Sequence, residues 1–275
     1  MGLSQARLAA FCSAKGRMQA SFVAWKTAHD EVYLACSASV LPATLKRLSM
    51  FVLRAQCKLS DATPELRLQG LVGDAAAPLA AGTLPWQKRD TGQGVVIRLP
   101  DALGLQRAMF VSPATAPDAL ASTPALALET WRWLEVHSGV PTIELATVEQ
   151  FVPQMLNLEL IGGVDFKKGC YPGQEVVARS QYRGTIKRRM FVFDVAETAT
   201  AGQEVFDSLD REQPAGMVVQ AATPPGASGT SSALVEVKLA SLEPGHTLHL
   251  GSPEGAAMVK RNLPYEVPIE ATTPS

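Results

Sequence analysis

One segment gathers the residues able to do chemistry: Gly162-Gly163-Val164-Asp165-Phe166-Lys167-Lys168-Gly169-Cys170-Tyr171-Pro172-Gly173-Gln174-Glu175. Four glycines and a proline surround one cysteine, so the backbone is asked for turns that side chains would forbid. A thiol in such a run does not sit easily on a core-facing strand or helix. Downstream, residues 174–182 predict a helix, with Glu175 in its first turn, Arg179 and Arg183 further along, and Glu175/Arg179 as an i, i+4 pair. Cys170 would then precede a helix N-terminus, with Lys167 and Lys168 beside it. Both features lower a thiol pKa and raise its thiolate fraction at neutral pH. Three roles are open to such a sulfur: nucleophile, metal or cluster contact, and redox-sensitive thiol. The plain alternative is a small buried hydrophobe.

Charge is concentrated at the same place. Lys167, Lys168, Arg179, Arg183, Lys187, Arg188 and Arg189 face Glu175 alone, a local +6 in a chain whose formal net charge is −1. An anionic partner is implied if these residues share a face, and a solvated strip if they do not. The molecule as a whole has no electrostatic attraction for nucleic acid or a membrane.

Several elements must hold this segment in place. Residues 20–27 and 31–36 read as two strands around a turn, and residues 41–54 as an amphipathic helix with Pro42 in its first turn. Residues 66–72, 94–99 and 107–112 are strand-like. After a proline-rich loop comes a helix over 125–137, stopped by Gly139 and Pro141. Residues 147–158 suggest a second helix opened by a Thr147/Gln150 capping box, although Pro153 falls inside it. Beyond residue 188, short runs such as 190–195, 217–219 and 234–237 alternate with glycine, proline and serine clusters, the pattern of a small antiparallel barrel.

The 275 residues are 47% hydrophobic and 19% charged, enough for a large core or for two to three small domains. No apolar run approaches the roughly 18–20 residues that cross a bilayer. The first residues lack the apolar stretch of a secretory signal, which predicts a soluble, cytoplasmic protein. Cys12, Cys36, Cys57 and Cys170 form no CxxC pair, so reduced thiols are expected, with the first three buried as small hydrophobes. His246-Thr247-Leu248-His249 has no acidic or cysteine companion at ligand spacing, and no metal site is expected.

Lys168-Gly169-Cys170-Tyr171-Pro172-Gly173-Gln174-Glu175 resembles the K-G-C-[FY]-x-G-Q-E signature of the YgfZ-type folate-binding proteins. The likeness extends upstream through 151–158 and 162–166 and downstream through Val177-Ala178-Arg179 and Tyr182-Arg183-Gly184. Near the start, Cys12-Ser13-Ala14-Lys15-Gly16-Arg17 is similar to the loop ahead of that family's first long hairpin. The resemblance implies an α+β fold shared with the glycine cleavage aminomethyltransferase (GcvT), built as three modules around a central channel. A first, signature-bearing domain would span 1–55 and 125–183, a ferredoxin-like insert 56–124, and a C-terminal antiparallel β-barrel 184–270, with a disordered tail at 271–275. The family carries several dozen residues ahead of the Cys12 loop, so the first domain is expected to be incomplete at its N-terminus.

The resemblance further implies tetrahydrofolate or a derivative as cofactor, and a role in iron–sulfur cluster assembly or repair that reaches tRNA modification through iron–sulfur enzymes. Partners would be the assembly machinery or client enzymes, with no membrane and no direct nucleic acid. Cys170 would be the functional thiol and Lys168 its tuning cation, with Gly169, Tyr171, Gly173, Gln174 and Glu175 shaping the loop. Glu135 is a candidate partner for the pterin, against the plain reading of an exposed helical glutamate, while by spacing His137 matches the aminomethyltransferase glutamate more closely. Arg179 and Arg183 would meet the glutamate tail of folate. Two rival readings are a true aminomethyltransferase and an RNA-binding protein working through the 167–189 patch.

Overall fold

The computed structural model describes residues 1–166, 168–169, 173–175, 177 and 186–268. The chain divides into two compact units, one formed by residues 1–9 and 22–127 and the other by residues 10–21 and 128–275.

The chain opens with β1 (Ala6–Cys12), β2 (Met18–Lys26) and β3 (Val32–Ala35), a three-stranded sheet in that order. Strands β1 and β2 each give one half to either unit. In the first unit Trp25 and Tyr33, partners across β2 and β3, stack at 5.5 Å. Helix α1 (Leu41–Ser49) has Pro at its start and Lys46 and Arg47 in its last turn, where cations suit the helix dipole. It is shorter than the amphipathic pattern over 41–54 predicts.

Strand β4 (Leu66–Val72), the short helix α2 (Ala77–Ala80), β5 (Lys88–Thr91), β6 (Gly94–Ala102) and β7 (Leu105–Pro113) follow. They form a four-stranded antiparallel sheet in the order β4-β7-β6-β5. α2 packs on this sheet over a core of Leu71, Ala76, Ala80, Val96, Ala108 and Phe110.

The second unit begins its long stretch with α3 (Leu128–His137), which ends at Gly139 in the left-handed region (φ 66°). The helix expected over 147–158 does not form. Its place is taken by two 3₁₀ turns, Leu145–Thr147 and Pro153–Leu156, separated by Glu149 at φ 61°. Pro153 starts the second turn, since its ring and missing N–H exclude it from a helix interior. The capping box is also displaced by three residues, to Glu144 and Thr147.

Strands β8 (Arg188–Val195), β9 (Glu204–Asp207), β10 (Gly216–Ala222), β11 (Ser231–Lys238), β12 (Leu248–Leu250) and β13 (Met258–Arg261) complete the unit. They form a six-stranded, nearly closed antiparallel sheet in the order β12-β9-β10-β11-β8-β13. A bridge between His249 and Ala257 brings β12 toward the start of β13. Alternate residues of each strand fill the interior, among them Phe191, Phe193, Val205, Val218, Val235, Val237 and Leu250. Burial of each such side chain contributes about 1.5–3 kcal/mol. β11 is buried on both faces apart from its last residue, because α3 packs on the outside of β10 and β11.

Candidate functional site

Cys170, Tyr171, Arg179 and Arg183, with Lys167, lie outside the described residues. Lys168, Gly169, Gly173, Gln174, Glu175 and Val177 are described, and they meet elements far away in the chain.

The first of these elements is the turn between β1 and β2. Ser13 accepts a hydrogen bond from the Gly16 amide at 2.9 Å and donates its own amide to the Arg17 carbonyl at 2.8 Å. This is a tight reversal closed by Gly16 at φ 72°. Arg17 extends its Nη1 to the carbonyl of Glu149 at 3.3 Å and also to that of Gln150. Met18 exchanges backbone hydrogen bonds of 2.8 Å with residues Glu149 and Phe151. The turn is therefore fastened on one side to the 149–151 segment.

Its other side receives the signature. Gly173 has φ 82°, and a Cβ built there would stand 2.4 Å from the Ser13 carbonyl and 2.8 Å from the Gly16 nitrogen. Only glycine meets both the backbone angle and the approach. Gly173 of the signature is thus in direct backbone contact with Ser13 and Gly16 of the 12–17 loop.

Lys168 is exposed, and its ammonium acts on the Cys12 thiol. Burial outweighs that effect and pushes Cys12 up to about 11, so this sulfur stays protonated at neutral pH. Cys12, Cys36 and Cys57 are free thiols. Cys12 and Cys36 are only partly buried and Cys57 is exposed, which corrects the expectation that all three are buried; Cys57 lies in a stretch after α1 where nearly every side chain faces solvent.

The second element is the 153–159 segment. Gln154 is 1% exposed and donates from Nε2 to the Val177 carbonyl at 2.6 Å. The Val177 amide in turn reaches the Gly173 carbonyl at 3.3 Å, the first helical bond after the signature loop. Asn157, fully buried at φ 58°, donates from Nδ2 to the Met190 carbonyl at 2.7 Å. Tyr265 donates its hydroxyl to the Gly139 carbonyl at 2.8 Å, and burial pushes it up to about 12. Sequence reasoning missed Gln154 and Asn157 as anchors. The available signal was two amide side chains inside an otherwise apolar 151–158 run, where a polar group must find a buried partner.

The basic patch is smaller than its sequence suggests. Arg189 is 3% exposed, pairs with the buried Glu159 and gives Nη1 to the Gln154 carbonyl at 3.0 Å. Arg188 forks onto the carboxylate of Glu236, which is itself 2% exposed. Two of the seven cations are therefore neutralised inside the unit, while Lys168 and Lys187 are exposed.

On α3, Glu135 is half-buried, and its carbonyl accepts the Ser138 hydroxyl at 2.7 Å. His137 and Trp133 sit one turn apart in edge-to-face contact. Both reach Ser232 Oγ, Trp133 through Nε1 at 3.1 Å and His137 through Nε2 at 3.3 Å. Ser232 donates its own proton to Asp194 at 2.6 Å, so His137 must be the donor and its Nε2 carries hydrogen. Burial lowers the His137 pKa, a pull opposed by Asp194 and aided by Arg261. In the barrel, His246 meets the buried Asp207 at 2.7 Å. No helix among the described residues is long and apolar enough to cross a membrane.

The architecture is that of aminomethyltransferase T of the glycine cleavage system. The Bartonella henselae protein superposes with a TM-score of 0.72 at 17% identity, covering 96% of this chain and 76% of that one. By sequence the chain is similar to proteins of the YgfZ family. The tRNA-modifying protein YgfZ of Serratia proteamaculans is 31% identical over 193 residues, 67% of this chain and 58% of that protein. Its Photorhabdus laumondii counterpart is 32% identical over 200 residues, 70% of this chain and 60% of that protein. The Photobacterium profundum protein is 31% identical over 216 residues, 74% and 62%. The chain thus spans about three fifths of the length of the curated relatives it matches. No family model matches it.

Proposed function

We propose that this chain binds tetrahydrofolate or a derivative and acts as an accessory factor in iron–sulfur cluster assembly or repair, with Cys170 as its functional thiol. Its bearing on tRNA modification, the property in the names of its relatives, would pass through iron–sulfur enzymes. The observation that carries the reading is the contact of Gly173 with Ser13 and Gly16, by which the two stretches most like the family support one another.

Groups of the kind the cofactor asks for are present in the chain. A pteridine edge asks for a carboxylate, and the glutamate tail for cations. The half-buried Glu135 and the exposed Lys168 and Lys187 offer both. Bound folate would supply a carrier for a one-carbon unit. Lys168 would hold the Cys170 sulfur toward its thiolate form, and Gly173 would fix the bend on which that sulfur is carried.

Two measurements test this reading. Tetrahydrofolate added to the whole protein should quench tryptophan fluorescence saturably. A Cys170→Ala variant should fail to restore iron–sulfur enzyme activity in cells lacking the protein, and full restoration would contradict the role of the thiol. The fold also favours a second reading, an aminomethyltransferase proper; robust formation of methylene-tetrahydrofolate from an aminomethyl donor would favour it over the first. The RNA reading loses two of its cations to Glu159 and Glu236.

A further inference from the structure

We infer that the stretch from Lys46 to Lys58 is a contact surface for an anionic lipid bilayer. Met50, Phe51 and Leu53 would enter the interface, and the cations on either side of them would meet the headgroups. The stretch belongs to the first unit, and the inference is independent of the cofactor reading above.

Helix α1 ends at Ser49, but its backbone bonding runs on beyond it. The Met50 amide donates to the Lys46 carbonyl at 3.3 Å, Phe51 to Leu48 at 3.0 Å, and Val52 to Ser49 at 3.2 Å. The side chains here are therefore presented by a hydrogen-bonded turn. Val52 is its partly buried member, while Met50 is 60% exposed, Phe51 57% and Leu53 86%. A single exposed apolar side chain needs no explanation. Three within four positions form a patch that asks for a partner.

Charge selects the kind of partner. No aspartate or glutamate lies between Glu31 and Asp61, whereas Lys46, Arg47, Arg54 and Lys58 carry positive charge there. All four cations are exposed. Arg47 stands 5.5 Å from the centre of the Phe51 ring, so cation and apolar group share one spot. The formal net charge of −1 conceals this concentration, and the surface departs from the expectation of no membrane drawn from the whole chain.

A nucleic acid would engage the cations but give Met50 and Leu53 nothing in return. A protein partner would seat such side chains in fitted pockets, with charge depleted around them. A bilayer accepts apolar side chains of any shape at its acyl boundary. Lysine and arginine stems lie along that boundary with their charges among the headgroups. Anionic lipids then add attraction for each cation.

The test is cosedimentation of the full chain with vesicles of phosphatidylcholine alone, or containing about one quarter phosphatidylglycerol, at about 0.1 M salt. Binding to the anionic vesicles should be about tenfold or more the stronger. The double variant Phe51→Ser/Leu53→Ser should weaken it about tenfold, through lost apolar burial. Arg54→Gln and Lys58→Gln should each weaken it about fivefold. All four side chains are exposed, so the variants should keep the wild-type melting temperature. Absence of binding to the anionic vesicles overturns the inference, and so does undiminished binding by the Phe51→Ser/Leu53→Ser variant. Sedimentation equilibrium without vesicles supplies the remaining control. A dimer that the same double variant dissociates would assign this surface to a second copy of the chain and overturn the inference; a monomer supports it.

Discussion

Gly173 and Ser13 approach so closely that no side chain fits between them: a Cβ on Gly173 would lie 2.4 Å from the Ser13 carbonyl oxygen. The obstacle is backbone on both sides, so it cannot swing away as a flexible side chain would. Gly173→Ala adds the left-handed strain of φ 82° to that collision. It should cost about 2–4 kcal/mol of unfolding free energy, measured by urea denaturation. Gly162→Ala is the control. Its φ is also positive, 78°, but nothing stands within 4 Å of its added methyl, so only about 1–2 kcal/mol should be lost.

Arg189 and Glu159 are a buried ion pair with side-chain exposures of 4% and 6%. Removal of one partner leaves an uncompensated charge inside, so Arg189→Met alone should destabilise by about 3–5 kcal/mol. Adding Glu159→Leu removes the orphaned carboxylate and should recover more than half of that loss. Equal costs for the single and the double variant would show that the charges are not coupled. The four unfolding free energies of the cycle decide it.

Asp207 titrates below the ordinary carboxylate value. Burial pulls it upward, but the Leu209 amide, the Ser241 hydroxyl and His246 together outweigh that pull. A carboxyl lowered in the folded state gives stability that is present above its unfolded pKa of about 3.9 and disappears as pH falls through the lower folded value. Asp207→Asn removes this contribution. The melting temperature of wild type should therefore fall more steeply than that of the variant as pH drops from about 5 to about 3. Parallel curves would remove the carboxylate as the cause.

Much of the scaffold was legible from residue spacing alone. The hairpin of β2 and β3, the strand Leu66–Val72, the C-terminal end of α3 and the strands β8, β10 and β11 all follow from periodicity and from glycine and proline positions. The failures share a cause. Residues 147–158 carry a helical spacing of apolar groups, but Pro153 and the left-handed Glu149 and Asn157 break it into turns that serve tertiary contacts. Arg188 and Arg189 read as surface cations because their carboxylates, Glu236 and Glu159, lie 48 and 30 positions away. Gln154 could not be linked to Val177 for the same reason, since their 23-residue separation has no local signature. At the site, the two motifs were visible separately, but their contact through Gly173 was not. The minor strands β9, β12 and β13 were too short to leave a pattern.

The bridge from His249 to Ala257 has a consequence beyond the core it encloses. A sheet that curls until its outer strands nearly touch leaves little open ladder for a neighbouring molecule to extend. The half of the chain that carries the signature is thereby shielded against strand-by-strand self-association, the hazard that a flat sheet of six strands would bring in a crowded cell.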